Sequence, residues 1–278
     1  MDIKKPIVKI IERKQERFSL KGRSALLIDS GLGLLSVARA IHQTYPEIKL
    51  FALSDHEGFP WGPRKNNDLI TRCLNLVEKG LKETQAEAVV IACNTATTVA
   101  LEELRDHFDV PIVGVIPGVK PAAHMTKTGN IGVLATEGTI ERMALDELIS
   151  EFAADCKVVK VGSHNLAAMA EDKLQGKLLD YDIIEQNLQA FKEQEVDVVT
   201  LGCTHYPLLL EELKIASEGK IHFLDSGFAV ARQLARRLAE IRPKLSALEP
   251  CLYYTGDAYH LDKQRLKEFG LEDIKPLF

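Results

Sequence analysis

No apolar run in this 278-residue chain comes near the roughly 18 residues that span a membrane; runs such as PIVGVI at 111–116 stop after a handful. The opening MDIKKPIVKIIERKQERFSL breaks its apolar positions with Lys, Arg and Glu, so neither a signal peptide nor a membrane anchor is expected. A charge excess is missing too. With 35 basic and 40 acidic residues interspersed, the formal net charge is −5, which leaves no basic stripe for nucleic acid, and a small anionic ligand needs only local positive potential. Cysteine is sparse, and its pattern excludes two classes. The five (Cys73, Cys93, Cys156, Cys203, Cys251) are odd in number, scattered and free of C-x-x-C spacing, against both a disulfide framework and a zinc site. A reducing cytoplasm fits.

What the chain has is a steady alternation of short apolar runs and longer stretches of helical period, the pattern of βαβ units feeding a parallel sheet. SALLI 24–28, KLFAL 49–53, AVVIA 88–92 and PIVGVI 111–116 read as strands. Residues 66–86 read as a helix with Ile70, Leu74, Val77 and Leu81 on one stripe. The order then recurs: IGVLA 131–135, CKVVKV 156–161, a helix over 181–194, VVTLG 198–202 and IHFL 221–224. Asp29 precedes Cys93 by 64 residues and Thr136 precedes Cys203 by 67, so the offsets nearly coincide. The expectation is an internal duplication: two pseudo-symmetric α/β domains with mainly parallel sheets and the active site in the cleft between them. The first comprises 24–116 plus 225–278, the second 117–224. Residues 1–23 form an extension whose Ile7, Ile10 and Ile11 fall near helical spacing, either packed on the body or a mobile leader.

Ligands of open parallel sheets bind beyond the carboxyl ends of the strands. Asp29-Ser30, Asp55, Cys93-Asn94-Thr95, Thr136 and Cys203-Thr204-His205 all fall there. Cys93 and Cys203 each close an apolar run and precede a helix, expected from about Ala96 in one half and Pro207 in the other. A helix N-terminus offers free N–H groups and partial positive charge, which lower a thiol pKa and favour a carboxylate. A lone cysteine is more often a small buried hydrophobe. Cys73, Cys156 and Cys251, without polar companions, are read that way. Cys93 and Cys203 differ in having Asn, Thr and His beside them and a mate in the other half. Two matched acid/base groups on opposite sides of a cleft suit inversion of a stereocentre, one taking the α-proton from one face while the other returns a proton to the opposite face. His205 and Asp29 would support one thiol each, although a strand-end Asp is often a cap and a His near a strand end is often a satisfied interior residue.

The blocks LLIDSGLGLLSVARAI, SDHEGFPWGPRKN, VVIACNTATTVALEEL, IGVLATEGTIER, LGCTHYPLL and DSGFAVARQLA resemble, in order and spacing, those of the glutamate racemases of bacterial cell-wall synthesis, over about residues 24–235. That resemblance implies a cytoplasmic, cofactor-independent isomerase that interconverts L- and D-glutamate by proton exchange between two cysteines, supplying D-glutamate for peptidoglycan and thereby cell shape. It makes Cys93 and Cys203 the acid/base pair and Asp29 and His205 their supports. Ser30, Trp61, Gly62, Asn94, Thr95 and Thr204 become substrate-binding positions, together with Asp29 and His205. Thr136 and Thr139 are further candidates. So is Glu171, where the family often has a glutamate on the His205 side, although a solvated helix face explains it as well. Pro60-Trp61-Gly62 departs from the usual Pro-Tyr-Gly, losing a phenol hydroxyl while keeping a ring and the Gly62 backbone. The extension and GVIPGVKPAA resemble the subgroup activated by UDP-N-acetylmuramoyl-alanine; the extension would equally serve a homodimer contact, a monomer being the other state. No cofactor, metal, nucleic-acid or membrane partner is expected. The alternatives are a racemase of a related amino acid such as aspartate, a non-catalytic ligand-binding relative, and a redox dithiol pair.

Overall fold

The computed structural model describes residues 20–257 and 261–277; the isoleucines of the N-terminal extension lie outside the described residues. In chain order the strands are β1 (Ser24–Asp29), β2 (Lys49–Ser54), β3 (Ala88–Ile91), β4 (Ile112–Gly114), β5 (Asn130–Ala135), β6 (Lys157–Gly162), β7 (Val198–Gly202), β8 (His222–Leu224), β9 (Cys251–Tyr254) and β10 (Asp273–Pro276). One sheet runs β10-β9-β2-β1-β3-β4 and the other β6-β5-β7-β8, with every neighbouring pair parallel. The second, first, third and fourth strands are therefore neighbours in the same order in both sheets. This is the sequence repeat expressed as topology: Cys93 follows β3, Cys203 follows β7, and the two positions are equivalent.

The helices that pack on these sheets begin with α1 (Leu34–Thr44), α2 (Asn66–Thr84), α3 (Asn94–His107) and α4 (Val119–Met125). Over the second sheet lie α5 (Glu137–Ile140), α6 (Met143–Phe152), α7 (Leu166–Leu174), α8 (Tyr181–Glu193) and α9 (Leu210–Ala216), followed by α10 (Gly227–Glu240) and α11 (Lys263–Leu266). Helices on both faces explain why the first strand is a continuous apolar run rather than an alternating one. Ala25, Leu26, Leu27 and Ile28 are all fully buried, each Leu or Ile contributing about 1.5–3 kcal/mol by leaving water.

Several expectations shift on contact with the structure. The buried face of α2 carries Leu69, Cys73, Leu76, Val77, Gly80 and Thr84, while Ile70, Leu74 and Leu81 are only half-buried at its border. Gly80 sets this rotation, because a Cβ there would sit 2.6 Å from Leu26 Cδ2, so the helix beds its small-residue row on β1. Helix α3 starts at Asn94 with Cys93 as its N-cap, earlier than expected. After Cys203 comes a 3₁₀ turn, Tyr206–Leu209, with Pro207 near its start, and α9 only then. Cys73 and Cys251 are buried, but Cys156 is half-buried, and all five thiols are free. The chain crosses between the sheets after β4 and after β8, and the crossings are tied together where Ser226 Oγ donates to the Ile116 carbonyl.

Candidate active site

The carboxyl ends of β1, β3, β5 and β7 bring their loops to one cavity of about 30 Å³. Asp29, Ser30, Trp61, Gly62, Cys93, Asn94, Thr95, Thr136, Thr139, Cys203, Thr204 and His205 line it, joined by Phe59, Pro60, Ala167 and Gly202. Glu171 does not reach the cavity but stands behind His205. Ala167, at the start of α7, had no sequence signal; Phe59 lies within the SDHEGFPWGPRKN block but was not singled out, because an apolar residue on an irregular loop carries no polar chemistry.

On the Cys203 side the chain of groups is short. Cys203 Sγ lies 3.8 Å from His205 Nδ1, and His205 Nε2 lies 2.9 Å from Glu171 Oε1. Glu171 is buried, so the solvated-face reading does not apply: α7 turns it inward because the buried Ala167 and Leu174, at i−4 and i+3, share its face. Burial opposes a charged imidazole, yet the bonds to Cys203 and Glu171 outweigh it and hold His205 well above its ordinary value. The Gly33 N–H also points at Nε2, at 3.1 Å. One nitrogen cannot accept from Gly33 and donate to Glu171 together. With the imidazole held charged, Nε2 carries a proton and donates to Glu171, while the Gly33 N–H only approaches it.

The Cys93 side is built differently. Asp29 is buried and accepts from the Ser30 N–H at 2.7 Å and the Thr204 hydroxyl at 2.8 Å. Burial lifts its carboxyl to about 6, against the opposing charge of His205 and hydrogen bonds from Thr204, Ser30 and Cys93. For Cys93, burial first and the Asp29 charge next push the thiol well above the usual value, and the Ala96 N–H on the N-terminal turn of α3 pulls back by less. The expected lowering by the helix N-terminus is overturned here, because desolvation and a neighbouring carboxylate act together against the thiolate.

Trp61 lines the cavity as a fixed ring. Its ring is fully buried in the cluster with Phe51, Cys73 and Cys93, and its Nε1 donates to Asp55 Oδ2 at 2.8 Å. Asp55 accepts in addition from Arg72 Nη2 at 2.7 Å and Thr255 Oγ1 at 2.8 Å. Burial would raise this carboxyl, but Arg72, Thr255 and Trp61 lower it overall. The indole is thus a pinned wall of the cavity rather than a free stacking surface.

Across the cleft, Thr95 Oγ1 lies 3.3 Å from Thr139 Oγ1, which lies 3.0 Å from Thr136 Oγ1. Asn94 Oδ1 and Glu171 Oε2 are buried with no hydrogen-bond partner. Among the described residues no group of three His, Cys, Asp or Glu side chains gathers as a metal site, and no helix is long and apolar enough to cross a membrane.

The geometry has close counterparts. The Asp/Glu/Hydantoin racemase family matches residues 33–234. A glutamate racemase of Pectobacterium carotovorum subsp. carotovorum is 41% identical over 260 residues, covering 91% of each chain. One from Shewanella halifaxensis is 40% identical over 234 residues, 84% of this chain and 88% of the relative. Among solved structures, Escherichia coli glutamate racemase in complex with L-glutamate and the activator UDP-MurNAc-ala superposes with a TM-score of 0.87 at 35% identity, covering 92% of this chain and 98% of that one. A Bacillus anthracis glutamate racemase isoform gives 0.77 at 29% identity, with 92% and 97% covered. Two parallel sheets of repeated topology, a family match over most of the length and relatives this similar place the chain in the Asp/Glu/Hydantoin racemase family, with the glutamate racemases.

Proposed function

We propose that this enzyme interconverts L- and D-glutamate by moving protons between Cys93 and Cys203. One observation carries the reading: the two thiols end equivalent strands of two like-ordered sheets and line one cavity, each with its own ionisable partner. In one direction the Cys203 sulfur, as thiolate, takes the α-proton and becomes a thiol, leaving an electron pair delocalised into the α-carboxylate. The Cys93 thiol gives its proton to the opposite face and becomes the thiolate. The reverse reaction exchanges the roles. His205 and Glu171 return or remove a proton on one side, and Asp29 does so on the other. Ser30, Asn94, Thr95 and Thr204 supply donors for the carboxylates, with Thr136, Thr139 and the Gly62 backbone on the facing wall, while Asp29 and the unpartnered Asn94 Oδ1 accept from the ammonium. The reading needs no cofactor.

The units proposed to move about the cleft are 24–116 with 225–278, and 117–224. The product would serve peptidoglycan synthesis in the cytoplasm. Because the Escherichia coli enzyme was solved with the activator UDP-MurNAc-ala, regulation by the same nucleotide precursor is part of the proposal. The test is proton NMR of L-glutamate in deuterated buffer with purified protein and no cofactor, with and without the nucleotide. Loss of the α-proton signal with appearance of D-glutamate is expected, with aspartate inert. Exchange of aspartate alone would reassign the substrate, and no exchange of either would leave a binding relative.

A further inference from the structure

The cavity between the sulfurs adjoins a second one of about 480 Å³, with which it shares Pro60, Gly62, Thr136 and Ala167. The inner space has room for about two waters; the outer one can take a whole amino acid, so a substrate meets the outer cavity first. Arg142, in the turn between α5 and α6, lies on its wall. Its Nη1 donates to Asn66 Oδ1 at 3.1 Å, across the mouth to the start of α2. Its Nε is buried and has no partner. Burial holds this guanidinium below its ordinary value, and a thiolate at Cys93 would act on it in the opposite sense, which puts the two within electrostatic reach. The competing charges on the same wall are otherwise placed: Glu137 pairs with His164, and Glu141 is exposed to solvent. What remains is a cation with a buried free N–H, at the entrance of a site for a dicarboxylic amino acid.

We propose that Arg142 is a substrate-binding residue that takes the distal carboxylate of the incoming dicarboxylic amino acid in the outer cavity, exchanging Asn66 for the substrate before the cleft closes on it. This rests on the glutamate reading above. A guanidinium fork matches a carboxylate in a way an amide does not, and an unpartnered buried donor favours whichever acceptor reaches it.

The experiment compares the unmodified protein with Arg142→Gln, Arg142→Lys and Asn66→Ala, using racemisation kinetics from low salt to about 0.5 M and titration calorimetry with glutamate. For Arg142→Gln the expected result is a KM and Kd for glutamate raised about tenfold at low salt, kcat within about twofold, and a flattened salt dependence of kcat/KM. Arg142→Lys should recover part of the affinity and keep the salt dependence, and Asn66→Ala should bind as the unmodified protein does. Wild-type affinity in Arg142→Gln would overturn the proposal, as would an equal loss in Asn66→Ala, which would make the contact a latch. Calorimetry separates the two readings: absence of turnover in the unmodified protein sinks the racemase assignment, while the binding comparison still decides the role of Arg142.

Discussion

Cys93 and Cys203 share a position in the fold but not an environment, and the difference is electrostatic. Cys203 faces an imidazole held charged by its partners, whereas Cys93 faces a carboxylate and keeps its proton. Each should be indispensable for inversion. Cys93→Ser and Cys203→Ser should each lose racemisation by about 10² to 10⁴-fold, the range for a positioned acid or base. Each variant should still wash deuterium into one enantiomer, a different one for each, as read by NMR of separate L- and D-glutamate samples. Asp29 gives a second prediction. Its folded value of about 6 lies above the ordinary 3.8. A carboxyl raised by folding stabilises the fold below pH 3.8, and that contribution disappears as pH rises through 6, a difference of about 3 kcal/mol. Asp29→Asn lacks the ionisation, so it should be more stable than the unmodified protein at pH 7.5 and no more stable at pH 3.5, while losing activity; denaturant melts at the two pH values check this. These residues were legible in the sequence because Cys93 and Cys203 stand in copies of one pattern. Glu171 was only half-legible, since it stands 34 residues before His205 and spacing cannot show which way a helix turns. The pinning of Trp61 by Asp55 was illegible, being a contact between a strand end and the loop after it.

Elements meet most tightly where backbone approaches backbone. A Cβ on Gly138, in α5, would sit 2.6 Å from the Gly62 carbonyl oxygen of the opposite wall. Gly138→Ala should act on cleft closure rather than on folding. Overpacking of typically 1–3 kcal/mol would then raise KM roughly 5- to 150-fold with little change in melting temperature. Gly132→Ala is the contrast, because its Cβ would meet Phe191 and Val199, both at 2.7 Å, within the second sheet and its covering helix. It should lower stability by about 1–3 kcal/mol and leave KM alone, and calorimetric melts beside steady-state kinetics separate the pair. The eight strands of the repeat were legible from apolar runs. Strands β9 and β10 were not: they lie beyond the repeat, so no matching order points to them, and β10, DIKP, lies at the sheet edge with one apolar side chain before its proline.

At the scale of the molecule, the repeat makes the site possible by bringing two equivalent strand ends face to face, but the bonds across the cleft are unevenly shared. On the Cys203 side, the loop after β1 is bonded through Asp29 to Thr204, Leu32 to Glu171, Gly33 to His205 and Ser36 to the Thr204 carbonyl. On the other side the loops meet through Thr95 to Thr139 and Arg142 to Asn66. Periodicity shows that two halves exist; it carries nothing about which edge of their contact is the stronger, since two of these bonds come from the backbone N–H groups of Leu32 and Gly33 and the others from scattered polar side chains. The inner cavity of about 30 Å³ cannot admit an amino acid as it stands. With the proposed racemisation, each turnover would need an opening and a closing stroke, and friction with the solvent would act on both. Added sucrose should slow kcat in proportion to bulk viscosity, while a variant whose chemistry is already slow, such as Asp29→Asn, should run indifferent to the thickness of its medium.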